Sequence, residues 1–216
     1  MEEVTEVPVS PPATARSLSE LLTPARTTPV VVRPGDVGGS AAWQTLVREG
    51  CLQVVRHDAA CPPGVPVGPV VRAGLLADQV PPGAVVTGRT AAWVYTGHGD
   101  GEVLDLTYPA GRHQPDRPPG ARLWQGPLLR SDTTTLGHVG VTTPDRTVVE
   151  LVLHDPDPVP AVLALVRRAA ADLARARRSL ELRTRAVGRP RARRLLDAAE
   201  AALARTPGAA PTDHPA

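Results

Sequence analysis

Two sets of side chains in this sequence have the types and spacing to hold a polyanion. Ser40, Gln44, Thr45 and Arg48 fall on the outer face of a helix expected over residues 40–49. Gln and Arg are side chains that read base edges or phosphates in a DNA major groove. An ordinary solvated helix face would look the same. Arg56 follows in the turn of an expected hairpin and adds a cation beside that face. Arg191, Arg193 and Arg194 form the second set, in the first turns of the expected last helix. Positive charge there opposes the helix dipole, so helix stability alone does not account for it. The plain alternative is a solvated face in a chain that uses Arg as its default surface residue.

Metal and catalytic chemistry find less support. Cys51, His57 and Cys61 are three ligand types close together, but their spacing matches no zinc pattern and a fourth ligand is missing. No G-x-S-x-G, H-E-x-x-H, P-loop or dinucleotide fingerprint is present. His98-Gly99-Asp100 and His154-Asp155 read more simply as turn chemistry. The expectation is a non-enzymatic protein with no metal and no cofactor.

Charge placement favours an anionic partner. All 24 basic residues are Arg, as expected of a GC-rich coding genome, and the formal net charge is only +2. From Arg167 to Arg205 there are twelve Arg against four acids, a net of +8. Residues 1–68 hold seven acids against five Arg, which weakens a DNA-binding reading of that part. The N-terminus has no apolar leader and no apolar run approaches membrane length, so a cytoplasmic protein with no membrane partner is expected.

The elements that would position these groups are legible in outline. Val139 to Leu153 reads as a strand entering a helix. Thr143 is its N-cap, Pro144 its first helical residue, and Val148, Val149 and Val152 its apolar face. Ser40 is the expected cap of the first clear helix, with Trp43, Leu46 and Val47 facing inward and Gly50 ending it. Strands at 52–55 and 59–61 follow. Pro62 to Pro69 is a Pro/Gly linker. A helix near 70–79, a strand at 84–87, a helix at 89–95, and strands at 102–108 and 122–124 come next. One long helix, capped by Asp157, is expected from Val159 through Leu180, and a last one from Pro190 to Ala204. A short helix from Ser17, boxed by Glu20, precedes them all.

The motif Thr142-Thr143-Pro144-Asp145-Arg146-Thr147 after a strand resembles the signature of the AbiEi-type antitoxin family, from type IV toxin–antitoxin pairs. Leu46–Val55 resembles the end of that family's winged helix-turn-helix, and Val85–Gly97 its strand-then-helix segment. The resemblance implies an α+β, mixed α/β fold. A winged helix-turn-helix-like unit over 15–61 is followed by the linker at 62–69. An α/β antitoxin-like domain over 70–205 then ends in Arg-rich helices. Tails at 1–14 and 206–216 are expected to be disordered, and the appended nuclease domain of some related chains is not expected. It also implies operator DNA as partner, with autoregulation of a toxin–antitoxin operon. A nucleotidyltransferase-type toxin encoded nearby is implied too, without direct contact being required. The alternative is a protein- or RNA-interaction module whose winged helix no longer reads DNA.

Overall fold

The computed structural model describes residues 31–99, 101–111, 117–184 and 186–205. The helix expected at Ser17, both expected tails and the middle of the 109–120 loop lie outside the described residues. What is described is an α+β fold of seven α-helices and two sheets.

The N-terminal part begins with a 3-10 turn, Pro34–Val37, and helix α1, Ser40–Arg48. The Gly39 carbonyl takes the Trp43 N–H at 3.0 Å, so Gly39 and not Ser40 is the N-cap. Gly38 and Gly39 both have positive φ, which brings the chain into the helix one residue before the expected serine. The far end behaves as read: Gly50 N–H bonds Val47 O at 3.1 Å and Cys51 N–H bonds Leu46 O at 2.9 Å, a Schellman pair.

Strands β1 (Gln53–Arg56) and β2 (Ala59–Cys61) then form an antiparallel hairpin. Val32 bridges Ala60 from the other side, so the spatial order is Val32, β2, β1. Trp43, Leu52 and Ala60 make the small core beneath, with Val32, Val37, Leu46 and Val47 packed on it. Residues 62–68 carry no helix or strand. Contacts nevertheless cross this link, because Ala59, Val31 and Val55 pack into the next core with Ala73 and Leu76.

The larger part begins with α2 (Pro69–Gly74), β3 (Val85–Val86), α3 (Gly88–Thr96), β4 (Asp105–Pro109) and β5 (Arg122–Gly126). Next come β6 (Thr133–Leu136), β7 (Val139–Thr142) and α4 (Pro144–His154). The last helices are α5 (Val159–Ala169), α6 (Leu173–Leu182) and α7 (Arg189–Arg205). The five strands lie in the order β5-β4-β3-β7-β6. Pairs β3–β7 and β4–β5 are parallel, and β3–β4 and β6–β7 antiparallel. One core lies between this sheet and α2 and α3. A second lies among α4 to α7 and is built from Val, Leu and Ala, as a chain without Phe requires.

The strand-to-helix joint folds as the sequence dictates. Val139 and Val141 are buried in the sheet, and Val148, Val149 and Val152 in the helical core. The Thr143 hydroxyl accepts the Arg146 N–H at 3.4 Å, and Pro144 opens the helix.

Three expectations are corrected. The single helix from Val159 to Leu180 is two helices. Ala170 sits in the left-handed region at φ 52°, and Asp172 caps α6 through the Arg175 N–H at 3.0 Å. The Asp172 N–H is itself held by Asp145 Oδ1 at 2.7 Å, which ties the break to the first turn of α4. Asp157 does not cap α5; Pro158 does, while the Asp157 N–H turns back to Asp155 Oδ1 at 2.8 Å. The helix near 70–79 stops at Gly74 and resumes only as a 3-10 turn, Ala77–Gln79.

Candidate functional site

Ser40, Gln44 and Arg48 are exposed and spaced by four along α1, so they form one outward line. Thr45 is half-buried and turned to local bonding. Its hydroxyl donates to Ala41 O at 3.1 Å and accepts from Arg48 Nη2 at 3.3 Å. Arg56 is not on this surface. Its residue exposure is 3%, and Nη2 donates to Gln79 Oε1 at 3.0 Å. The hairpin register slips between Val54 and Arg56. A one-residue slip turns a strand side chain to the opposite face, so the expected outward cation points into the junction.

Arg191, Arg193 and Arg194 do not form one free basic patch. Arg191 Nη2 donates to the carbonyls of Asp155 at 2.7 Å and Pro156 at 3.0 Å. Arg193 holds Glu181 through Nε at 2.7 Å and Nη2 at 2.6 Å. That hydrogen bonding is the main reason the Glu181 carboxyl is lowered to about 2, with Arg189 adding to it. Arg194 is exposed, as Arg193 is, and among the described residues no ion pair or hydrogen bond holds its side chain.

A groove of about 1360 Å³ runs between β5 on one side and α4 and α6 on the other. Six Arg and five carboxylates line it. Asp105 takes Arg122 Nε at 2.7 Å and the Arg89 N–H at 2.9 Å, so a β4 carboxylate caps α3. Gly88 is required beneath it, since a Cβ there would sit 2.8 Å from Asp105 Oδ2. Burial pushes the Asp105 carboxyl up, against Arg122 and Arg89. Arg89 also pairs with Asp155. Burial raises the Asp155 carboxyl, and Arg89 outweighs it to leave the group lowered.

On the groove floor Asp132 Oδ2 takes Arg146 Nη1 at 3.2 Å and Arg183 Nη2 at 2.9 Å. Arg146 pairs in turn with Glu150 one helical turn on, and Glu150 with His154 at 3.4 Å. Burial works to raise Glu150, but His154 and Arg146 leave it lowered. His154 packs against Trp124 with ring centroids 5.7 Å apart. The buried donors Trp124 Nε1, Arg146 Nε and Arg183 Nε have no acceptor among the described residues. The Arg146–Glu150 pair at i, i+4 was readable in the sequence. The long-range partners were not.

Cys51 is exposed and Cys61 buried, both as free thiols, and burial pushes the Cys61 thiol up. Among the described residues no group of three His, Cys, Asp or Glu could hold a metal ion. No helix among them is long and apolar enough to cross a membrane.

No family model matches the sequence, and no curated protein matches it. The crystal structure of the RV2827C protein from Mycobacterium tuberculosis is similar, with a TM-score of 0.41 and 23% identity. That match covers 89% of this chain and 81% of the other.

Proposed function

We propose that this protein is a non-enzymatic, cytoplasmic, DNA-binding regulator of the antitoxin type, acting on operator DNA of its own operon. The observation that carries the reading is the outward line of Ser40, Gln44 and Arg48 on α1, followed directly by a hairpin. A helix with exposed Gln and Arg suits the roughly 12 Å major groove. The hairpin beside it, with Val32 bridging Ala60, supplies the extended segments that a wing would use. The acid excess of residues 1–68 leaves the electrostatic share of affinity to the C-terminal helices, where Arg178 and Arg194 are exposed. The acidic side chains of the groove each hold a structural partner, which favours a non-enzymatic reading. A nucleotidyltransferase-type toxin encoded beside the gene belongs to the same proposal.

The test compares footprints on the DNA upstream of the gene. Gln44→Ala/Arg48→Ala is expected to erase the wild-type footprint while leaving the melting temperature unchanged. A footprint untouched by the double change would remove α1 from the interface.

The second reading is a protein- or RNA-interaction module with a winged helix that no longer reads DNA. The buried Arg56 favours it, because a hairpin meant to track phosphates is short of one cation.

A further inference from the structure

Arg56 is the only arginine of the β1–β2 hairpin, and it is buried with few partners. Nη2 donates to Gln79 Oε1 at 3.0 Å, across to the 3-10 turn Ala77–Gln79 of the larger part. Nε and Nη1 have no hydrogen-bond partner among the described residues. The Asp58 carboxylate lies 3.9 Å from Nε and already holds Arg33 at 2.7 Å. A buried cation with one neutral acceptor and a shared, distant counter-charge is weakly held.

The register that buries it is weakly fixed as well. Val54 pairs with Ala60, and the ladder then skips Val55 to pair Arg56 with Ala59. Val54 is 46% exposed. Strand side chains alternate between faces, so an unbroken ladder brings Arg56 out on the side of Val54. Favoured two-residue hairpin turns need positive φ at one or both residues. The two residues between Arg56 and Ala59 are His57 and Asp58, and neither has a positive φ. The turn therefore does not lock this register. Pairing Val55 with Ala59 instead leaves a three-residue turn, Arg56-His57-Asp58, which hairpins also use.

We propose that Gln79 holds Arg56 in a withdrawn position, and that a DNA phosphate draws it out by this one-residue shift. The inference rests on the DNA-binding reading and adds a regulation of that surface. Withdrawn, the hairpin presents no guanidinium to a nucleic-acid backbone. Drawn out, Arg56 exchanges one neutral acceptor for a phosphate, and the charge-assisted bond is the stronger. A duplex shifts the hairpin because it bonds Arg56 only in the outward register.

The experiment measures binding of four full-length chains to a random duplex across a salt series. They are wild type, Gln79→Leu, Arg56→Gln and the double variant. Gln79→Leu removes the acceptor and is expected to bind about fivefold tighter at an unchanged salt slope. Arg56→Gln is expected to make the log–log slope shallower by about one. In the double variant the gain from Gln79→Leu is expected to vanish. Phenylglyoxal labelling of the free chains, read at Arg56 by mass spectrometry, needs no DNA. Arg56 is expected to react more slowly than exposed Arg48 in wild type, and about fivefold faster in Gln79→Leu than in wild type. Gln79 is half-buried, and an unchanged melting temperature checks the fold of its variant. The labelling and the Gln79→Leu affinity decide the matter even where Arg56→Gln unfolds. Equal duplex affinity for wild type and Gln79→Leu, with the wild-type footprint upstream of the gene intact, would overturn the withdrawal and leave the DNA reading standing. An Arg56 that labels as fast as Arg48 in free wild type contradicts it equally. Absence of duplex binding by every chain would remove the DNA reading and this inference together.

Discussion

Arg191 donates to the main-chain oxygen of Asp155 at 2.7 Å. Its guanidinium closes the C-terminal end of α4, where carbonyls have no helical partner. The first turn of the last helix therefore locks the helix that the strand-to-helix joint begins. Arg191→Ala is predicted to destabilise the fold by about 1–2 kcal/mol in urea unfolding. The neighbouring Arg194→Ala should stay within about 0.5 kcal/mol. Equal losses at the two positions would contradict this division of roles.

Asp132 is the anchor of the groove floor. It is buried and holds Arg146, Arg183 and the Leu129 N–H at 3.0 Å. Asp132→Ala leaves Arg183 without its carboxylate and Arg146 with Glu150 alone, and is predicted to cost about 3–5 kcal/mol. Asp197→Ala breaks an exposed pair with Arg177 and should cost no more than about 1 kcal/mol. Thermal melts of the two variants give the comparison directly. A mild Asp132 variant would mean the floor repacks without its carboxylate.

Thr143→Ala removes the cap of α4 and is predicted to cost about 0.5–1 kcal/mol, the low end for a cap because its bond is long at 3.4 Å. Thr143→Ser should recover most of that loss. If Ser and Ala variants unfold at the same denaturant concentration, packing alone starts the helix.

Tyr95 is pushed up to about 12 by burial, and its hydroxyl donates to Thr142 O at 2.9 Å. The folded state thus holds this proton beyond the ordinary value of 10.0. Its contribution to stability is whole below pH 10 and is lost as pH climbs toward 12. Stability should fall across that window in wild type and fall less in Tyr95→Phe. Ultraviolet titration of the phenolate supplies the check: a Tyr95 that ionises near pH 10 in the folded chain would refute it.

The sequence was most informative where the signal was local. The Thr143-Pro144 start of α4, the apolar spacing of Val148, Val149 and Val152, and Gly50 after α1 each depend on neighbours within a turn. Each appears in the fold. The split between α5 and α6 was hidden because the apolar spacing runs on through the break. What breaks the helix is Asp145, twenty-seven residues upstream, holding the Asp172 N–H. Arg56 pointed inward for a similar reason, since a register slip in a short hairpin leaves no mark in composition. The groove was illegible because its carboxylates and guanidinium groups come from α3, β4, β5, the turn before β6, α4 and α6 and their ends. Only the sheet order brings those elements together.

The most direct test of the regulatory account is binding to the duplex upstream of the gene, and to a random duplex of equal length, across a salt series. The account predicts at least tenfold preference for the upstream duplex, lost in Arg48→Ala, because base contacts carry specificity. It also predicts affinity that falls steeply with salt on both duplexes, with a shallower slope in Arg194→Ala. Equal affinity for the two duplexes, or no binding to either at low salt, would contradict it.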